Sequence, residues 1–180
     1  EANRLYNRMQ LETAPQLKKM QDLVSTLYKE DKPENEKELL AELTLIGAYF
    51  KRRNNLLFIS ETQDTIRMAE LGYCFRESVS ALELQGVTGS CLVEAQGNIS
   101  LSESIQLYDA FQSVLQKTFS CINSIAVFLR TAESGFEMCI SLHLTTEMTF
   151  QFDSDFRIEQ EEEKDYLLTY FVARGDGDGK

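Results

Sequence analysis

Apolar residues recur near the start of the chain at Leu5, Met9, Leu17, Met20, Val24 and Leu27. The steps are three and four, apart from one gap at Thr13, so these positions form one stripe on a helix. The stripe stops at KEDKPENEKE (29–38), a polar stretch that reads as a turn with Pro33 near the start of a second helix. That helix carries Leu39, Leu40, Leu43, Ile46, Tyr49, Phe50 and Leu57, an apolar face wider than one partner helix needs. Two long antiparallel helices with such faces predict a hairpin that pairs with a second copy into a four-helix bundle. Gly47, mid-helix, is expected to permit close backbone approach. A third helical pattern holds Met68, Leu71, Phe75, Val79 and Leu82 and ends at Gly86.

The period then changes to two. VTGSCLVEA (87–95) reads as a strand, with a turn at Gly97 and Asn98. Ser100 with Glu103 predicts a capping box for a helix running to about Phe119. SIAVFLR (124–130) and FEMCISLHL (136–144), joined through AESG, predict a hairpin whose second strand places Phe136, Met138, Ile140, Leu142 and Leu144 on one face. TEMTFQF (146–152) predicts a further strand, EQEEEK (159–164) a solvated loop, and YLLTYFVA (166–173) a final strand. The organisation is a helical first half and an α+β second half, divided near residue 85.

One position breaks the first helical pattern. In RLYNRMQLETAPQLKKM (4–20), Pro15 removes a backbone donor and crowds the carbonyl of Leu11, at about 3 kcal/mol in an ordinary helix. A helix that accepts this has a reason for a bend there.

Composition narrows the function classes. The 180 residues hold 29 acids against 18 bases, a net charge of -11, which argues against nucleic acid as a partner because neutralising phosphates needs a basic surface. No apolar run approaches the ~20 residues of a membrane span. Cys74, Cys91, Cys121 and Cys139 lie far apart in apolar stretches and read as buried free thiols in a reducing compartment. His143 is the one histidine, so no multi-histidine metal site is expected, and no metal is assigned. The chain starts at Glu1 without Met or a signal-like segment and reads as a piece of something longer. GDGDGK (175–180) follows the last strand and precedes no helix, so it reads as a tail rather than a nucleotide loop.

The order of helical hairpin, strand, helix, hairpin and final strand is similar to that of sensor histidine kinases, where a dimerising hairpin precedes an ATP-binding domain of the GHKL type. The most specific stretches are IGAYFKRRNNLLF (46–58) and ESIQLYDAFQSVLQKTF (103–119), which resemble clostridial-type sensor kinases. The resemblance covers nearly the whole chain. It implies an α+β fold, with residues 1–85 as the dimerisation hairpin and its connecting helix. Residues 86–180 would then be a GHKL-like α/β sandwich with a mixed sheet. It also implies a bacterial two-component context and a cytoplasmic domain whose parent protein is membrane-anchored through a region upstream.

The motifs depart from that family. A phosphoacceptor His five residues before the proline would fall on Gln10, and a second family pattern, Leu-His-Asp, would place it at Tyr6. Glutamine has no nucleophilic nitrogen, and tyrosine is a poor substitute for imidazole at neutral pH. The family's Glu at or near the general base and its Mg²⁺-holding Asn fall on Ser113 and Lys117; a lysine cannot ligate a cation. The strand expected to end in Asp-x-Gly-x-Gly instead runs SLHLTTEMT (141–149), with neither Asp nor Gly, and no Gly-rich lid lies between 145 and 165.

The resemblance together with these departures implies a catalytically degenerate kinase core. Such a core would act by forming a homodimer and binding a response regulator or another kinase, with no cofactor expected. The alternative is an active histidine kinase or phosphotransferase with divergent motifs, which would need ATP and Mg²⁺. Lys51, Arg52 and Arg53, the one dense basic cluster, are the candidate partner contacts, set against the simpler reading of a solvated helix face.

Overall fold

The computed structural model describes residues 2–175. Its first helix, α1 (Ala2–Leu27), runs through Pro15 without a break. Thr13, the gap in the apolar stripe, is 2% exposed. Its hydroxyl donates to the Met9 carbonyl at 2.6 Å, so the polar group is satisfied within the helix and its methyl can face the neighbour. Met20, Leu23, Val24 and Leu27 along the same side are only partly buried.

The second helix, α2 (Pro33–Ile59), starts with Pro33 in its first turn, where a missing N–H costs nothing, and with Glu34 and Glu36 near its positive end. It packs antiparallel on α1, with Lys19 meeting Glu42 and Glu12 meeting Arg53. This is the expected hairpin. Gly47 differs from expectation: a Cβ there would meet nothing nearer than the Met20 Cε at 3.9 Å, so no backbone lies close against it.

Beyond the hairpin the order is β1 (Thr65–Arg67), α3 (Met68–Glu83), β2 (Thr88–Val93), β3 (Asn98–Ser100), α4 (Leu101–Thr118), β4 (Ile122–Ala132), β5 (Gly135–Leu144), β6 (Arg157–Glu162) and β7 (Asp165–Ala173). β1 and β3 form a two-stranded antiparallel ribbon that the sequence pattern does not reveal, each being three residues long. The other strands form one five-stranded sheet in the order β2-β4-β5-β7-β6. β2 and β4 are parallel and the remaining pairs antiparallel, so the sheet is mixed and the fold is α+β, as expected.

α3 and α4 cover one face of this sheet. Gly89 of β2 lies so close under α3 that an added Cβ would sit 2.3 Å from Val79 Cγ1. The predicted capping box is present in full: Ser100 Oγ accepts from the Glu103 N–H, and the Glu103 carboxylate accepts from the Ser100 N–H. Gly86 and Gly97 turn the chain at φ values of 82° and 83°, a region costly for other residues. The inward residues of β5, Phe136, Met138, Ile140, Leu142 and Leu144, are all buried, as their alternation predicts.

Two further expectations fail. TEMTFQF is not a strand; residues 145–156 carry no helix or strand. β5 and β7 each already have two neighbours, so the alternating Met148, Phe150 and Phe152 find no free sheet edge beside them and dock chiefly by side chains. EQEEEK is not wholly a loop, because β6 spans 157–162 and pairs with β7. An edge strand exposed along its length takes charged residues at no burial cost, which is why its sequence reads as a loop. No helix among the described residues is long and apolar enough to cross a membrane.

The glycine environments separate two substitutions. Gly47→Ala is expected to raise stability by about 0.5–1 kcal/mol, since the space is open and the helix gains a better former. Gly135→Ala places a Cβ 2.1 Å from the Val172 carbonyl oxygen and is expected to cost about 1–3 kcal/mol. Urea unfolding of the two variants beside the parent chain reads both signs.

Candidate functional site

The residues singled out in the sequence lie on three helices. Gln10 is exposed on α1, one and a half turns before Pro15, and Tyr6 lies on the same helix with its side chain outside the described residues. Ser113 and Lys117 are on α4. Ser113 donates its hydroxyl to the Ala110 carbonyl at 2.6 Å, a bond internal to the helix. The Lys117 ammonium lies 5.5 Å from the centre of the Phe152 ring.

Phe152 belongs to the segment between β5 and β6, which forms an aromatic strap over the last strand. Phe150 stacks on Phe152 with centroids 5.6 Å apart and meets Tyr166 of β7 edge-on at 5.0 Å. Phe152 continues to Phe156 at 4.8 Å, and Phe156 to Tyr170 of β7 at 5.1 Å. The Met148 N–H donates to the Tyr166 hydroxyl at 2.9 Å. Met148, Phe150, Phe152 and Phe156 pack on the main core, and Cys121 reaches Met148 at 3.1 Å. The strap therefore lies beside Lys117 on the α4 side of the sheet.

The basic cluster is divided by the helix that carries it. Lys51 Nζ reaches the Glu77 carboxylate of α3 at 2.5 Å, and Arg52 binds the other oxygen of the same group. Arg53 turns inward and is 7% exposed. Its Nε donates to Asp109 of α4 at 2.8 and 3.1 Å, and its Nη2 to Glu12 of α1 at 2.9 Å. The Tyr49 hydroxyl also donates to Asp109, at 2.9 Å, and Arg8 donates to Glu12 at 2.7 Å. Burial is the largest influence and works against the Arg53 charge, but Asp109, Tyr49 and Glu12 together outweigh it and the guanidinium is held more firmly protonated. Burial pushes the Asp109 carboxyl above its ordinary range despite Arg53. Burial and the neighbouring Asp109 push the Tyr49 phenol up.

The solvated-face reading of the cluster thus holds in part for Lys51 and Arg52 and fails for Arg53. Glu12, Asp109, Glu77 and Tyr49 were not singled out in the sequence. The available signal was Arg53 itself, a cation one turn after Tyr49 on the apolar side of α2, where a buried charge needs a carboxylate partner.

The remaining candidates are dispersed. His143 Nδ1 pairs with Asp165 at 2.6 Å across β5 and β7. All four cysteines are free; Cys74 and Cys121 are buried, Cys91 and Cys139 partly so, and burial raises the Cys74 thiol to about 11. Of the terminal GDGDGK, the Gly175 N–H donates to Glu103 at 2.8 Å, and 176–180 lie outside the described residues. Among the described residues no group of three or more His, Cys, Asp or Glu is placed to hold a metal ion.

No family model matches this sequence, and no curated protein matches it. Solved structures do align with it. A bacterial phosphotransferase aligns over 92% of this chain and 92% of its own, at 10% identity and a TM-score of 0.47. The histidine kinase domain of a blue-light activated histidine kinase from Erythrobacter litoralis aligns over 85% of this chain and 93% of its own, at 9% identity and a TM-score of 0.46. The Acinetobacter baumannii histidine kinase AdeS aligns over 92% and 98%, at 6% identity and a TM-score of 0.41.

Acid titration reads the ion pairs. Burial pulls the Glu77 carboxyl upward, but hydrogen bonds from Lys51 and Arg52 outweigh it and hold the group below its ordinary 4.5. Glu12 follows the same balance, with Arg8 and Arg53 as donors. A carboxyl lowered by folding stabilises fully above the unfolded value, and that stabilisation is lost as pH falls through the folded one. Glu77→Gln is therefore expected to lower the urea midpoint above about pH 4.5 and to flatten the decline below it.

Proposed function

We propose that this chain is the core of a sensor-histidine-kinase-like signalling protein that keeps the hairpin and mixed-sheet layer and has lost nucleotide chemistry. It works by pairing with a second copy and by binding a protein partner, a response regulator or another kinase. The observation that carries this reading is the aromatic strap. Phe150, Phe152 and Phe156 fill the space beside α4 with the chain's own side chains, and Lys117 is engaged with Phe152. A nucleotide at that place would have to displace packed aromatic surface.

The residues around the strap support the same reading. Ser113 spends its hydroxyl on its own helix, and neither it nor Lys117 offers a carboxylate or amide oxygen for a divalent cation. Gln10 and Tyr6, the two positions equivalent to a phosphoacceptor, carry no imidazole.

Pairing is supported by the hairpin itself. Leu23, Val24 and Leu27 of α1 and Leu39 and Leu43 of α2 are partly buried, and Leu17 and Leu40 are 43% and 44% exposed. This leaves an open apolar seam on both helices. A second hairpin laid on the seam would close it, whereas water would not.

Isothermal titration with ATP and Mg²⁺ is expected to give no binding at micromolar concentrations. Micromolar affinity, or acid-labile phosphate on the protein after incubation with labelled ATP, would sink the degenerate reading and favour the active enzyme. Sedimentation is expected to give a dimer, and Leu23→Glu, which places a charge on the seam, a monomer of unchanged helical content. A parent chain that sediments as a monomer would remove the pairing.

A further inference from the structure

Arg53 is the point where three helices share one charge. It belongs to α2, its guanidinium binds Asp109 of α4 on one side and Glu12 of α1 on the other, and Tyr49 steadies the same Asp109 oxygen. The titratable and charged groups of this network are Arg8 and Glu12 from α1, Tyr49 and Arg53 from α2, and Asp109 from α4. We propose that Arg53 is a clasp that couples α1 to the α+β layer, so that a displacement of α1 is transmitted to α4 through Glu12, Arg53 and Asp109. This goes beyond the functional reading above and holds whether or not the hairpin pairs.

The asymmetry of exposure gives the clasp two arrangements. The side chains of Glu12 and Asp109 are 32% and 38% exposed, so either carboxylate can turn to water. The Arg53 side chain is 9% exposed and cannot follow them without moving a helix. Its Nη1 is already buried without a partner. If α1 shifts and Glu12 leaves, Nη2 loses its carboxylate beside the already unpartnered Nη1, and the stabilisation of a largely buried cation falls on Asp109 alone. A buried polar group without partners is costly, so the α2–α4 joint has to readjust. A two-state element biased from one side and read at the other is the physical requirement for coupling.

The network is poorly placed for chemistry. Arg53 spends its bonds on Asp109 and Glu12, two carboxylates, so its role is one of positioning. The hairpin meets α4 chiefly through α2, and the Glu12–Arg53–Asp109 chain is a polar route from α1 into that helix.

Hydrogen exchange by mass spectrometry on the full chain tests the coupling. In the clasped protein, Glu12→Gln is expected to speed exchange at least about threefold in α4 (101–118) as well as in α1, because local opening is read directly in exchange rates. Arg53→Met, with its charge and fork removed, is expected to abolish the further effect of Glu12→Gln on α4, so that the double variant matches Arg53→Met alone. Arg53→Lys, which keeps charge but not the fork, serves if Arg53→Met fails to fold, and is expected to reduce the response of α4 to Glu12→Gln by at least half. Exchange that changes in α1 only, or an effect of Glu12→Gln on α4 that is the same size with and without Arg53, would overturn the proposal.

Discussion

Tyr108 stands where the molecule is joined. It is fully buried on α4, its ring lies 5.4 Å from Tyr49 of α2 and 5.7 Å from Phe75 of α3, and its hydroxyl meets Ser78 at 3.1 Å. Phe75 in turn stacks on Phe111 at 4.6 Å. These tilted and stacked rings bind three helices to one another before any of them meets the sheet. Aromatic pairs of this kind contribute about 0.5–1.5 kcal/mol beyond the area they bury. The residue after Tyr108 is Asp109, so the ring that fixes the helix junction also fixes the carboxylate that Arg53 needs. A cavity at Tyr108 would loosen the ion pairs and the core together.

The second half was legible because its residues obey one period at a time. β5 reads as a strand from Phe136 to Leu144 because its inward residues are all apolar while three of its four outward ones, Glu137, Ser141 and His143, are polar, Cys139 being the exception. α4 reads as a helix because Ser100 and Glu103 announce its start, and both cap bonds form. The hairpin was legible for the same reason, down to Pro33 at the start of α2. Thr13 was visible only as a gap. Its burial depends on a hydroxyl turned back to Met9, a local bond that hydropathy cannot register.

What stayed hidden depends on contacts between distant segments. The β1–β3 ribbon joins two three-residue strands across the whole of α3 and β2, too short for any periodic signal. The strap shows the alternation of a strand, yet which surface it covers was decided by the sheet order. The partners of Arg53 are 41 and 56 residues away, and nothing near Arg53 in the sequence identifies them. The identities of Gln10, Tyr6, Ser113 and Lys117 could be read directly, because they do not depend on placement. The material that occupies the space beside Lys117 could not.

The outer strand β6 has a consequence for how the molecules behave together. A sheet edge leaves a row of backbone donors and acceptors open to any extended chain, and Glu159, Glu161 and Glu162 line this one while the molecule as a whole carries a charge of -11. Mutual repulsion between like borders is then what keeps two sheets from stitching into one. Acidification to about pH 4.6, where the net charge vanishes, or concentrated salt strips that repulsion away while the open hydrogen-bonding row remains, so crowding under those conditions favours ribbons built edge to edge.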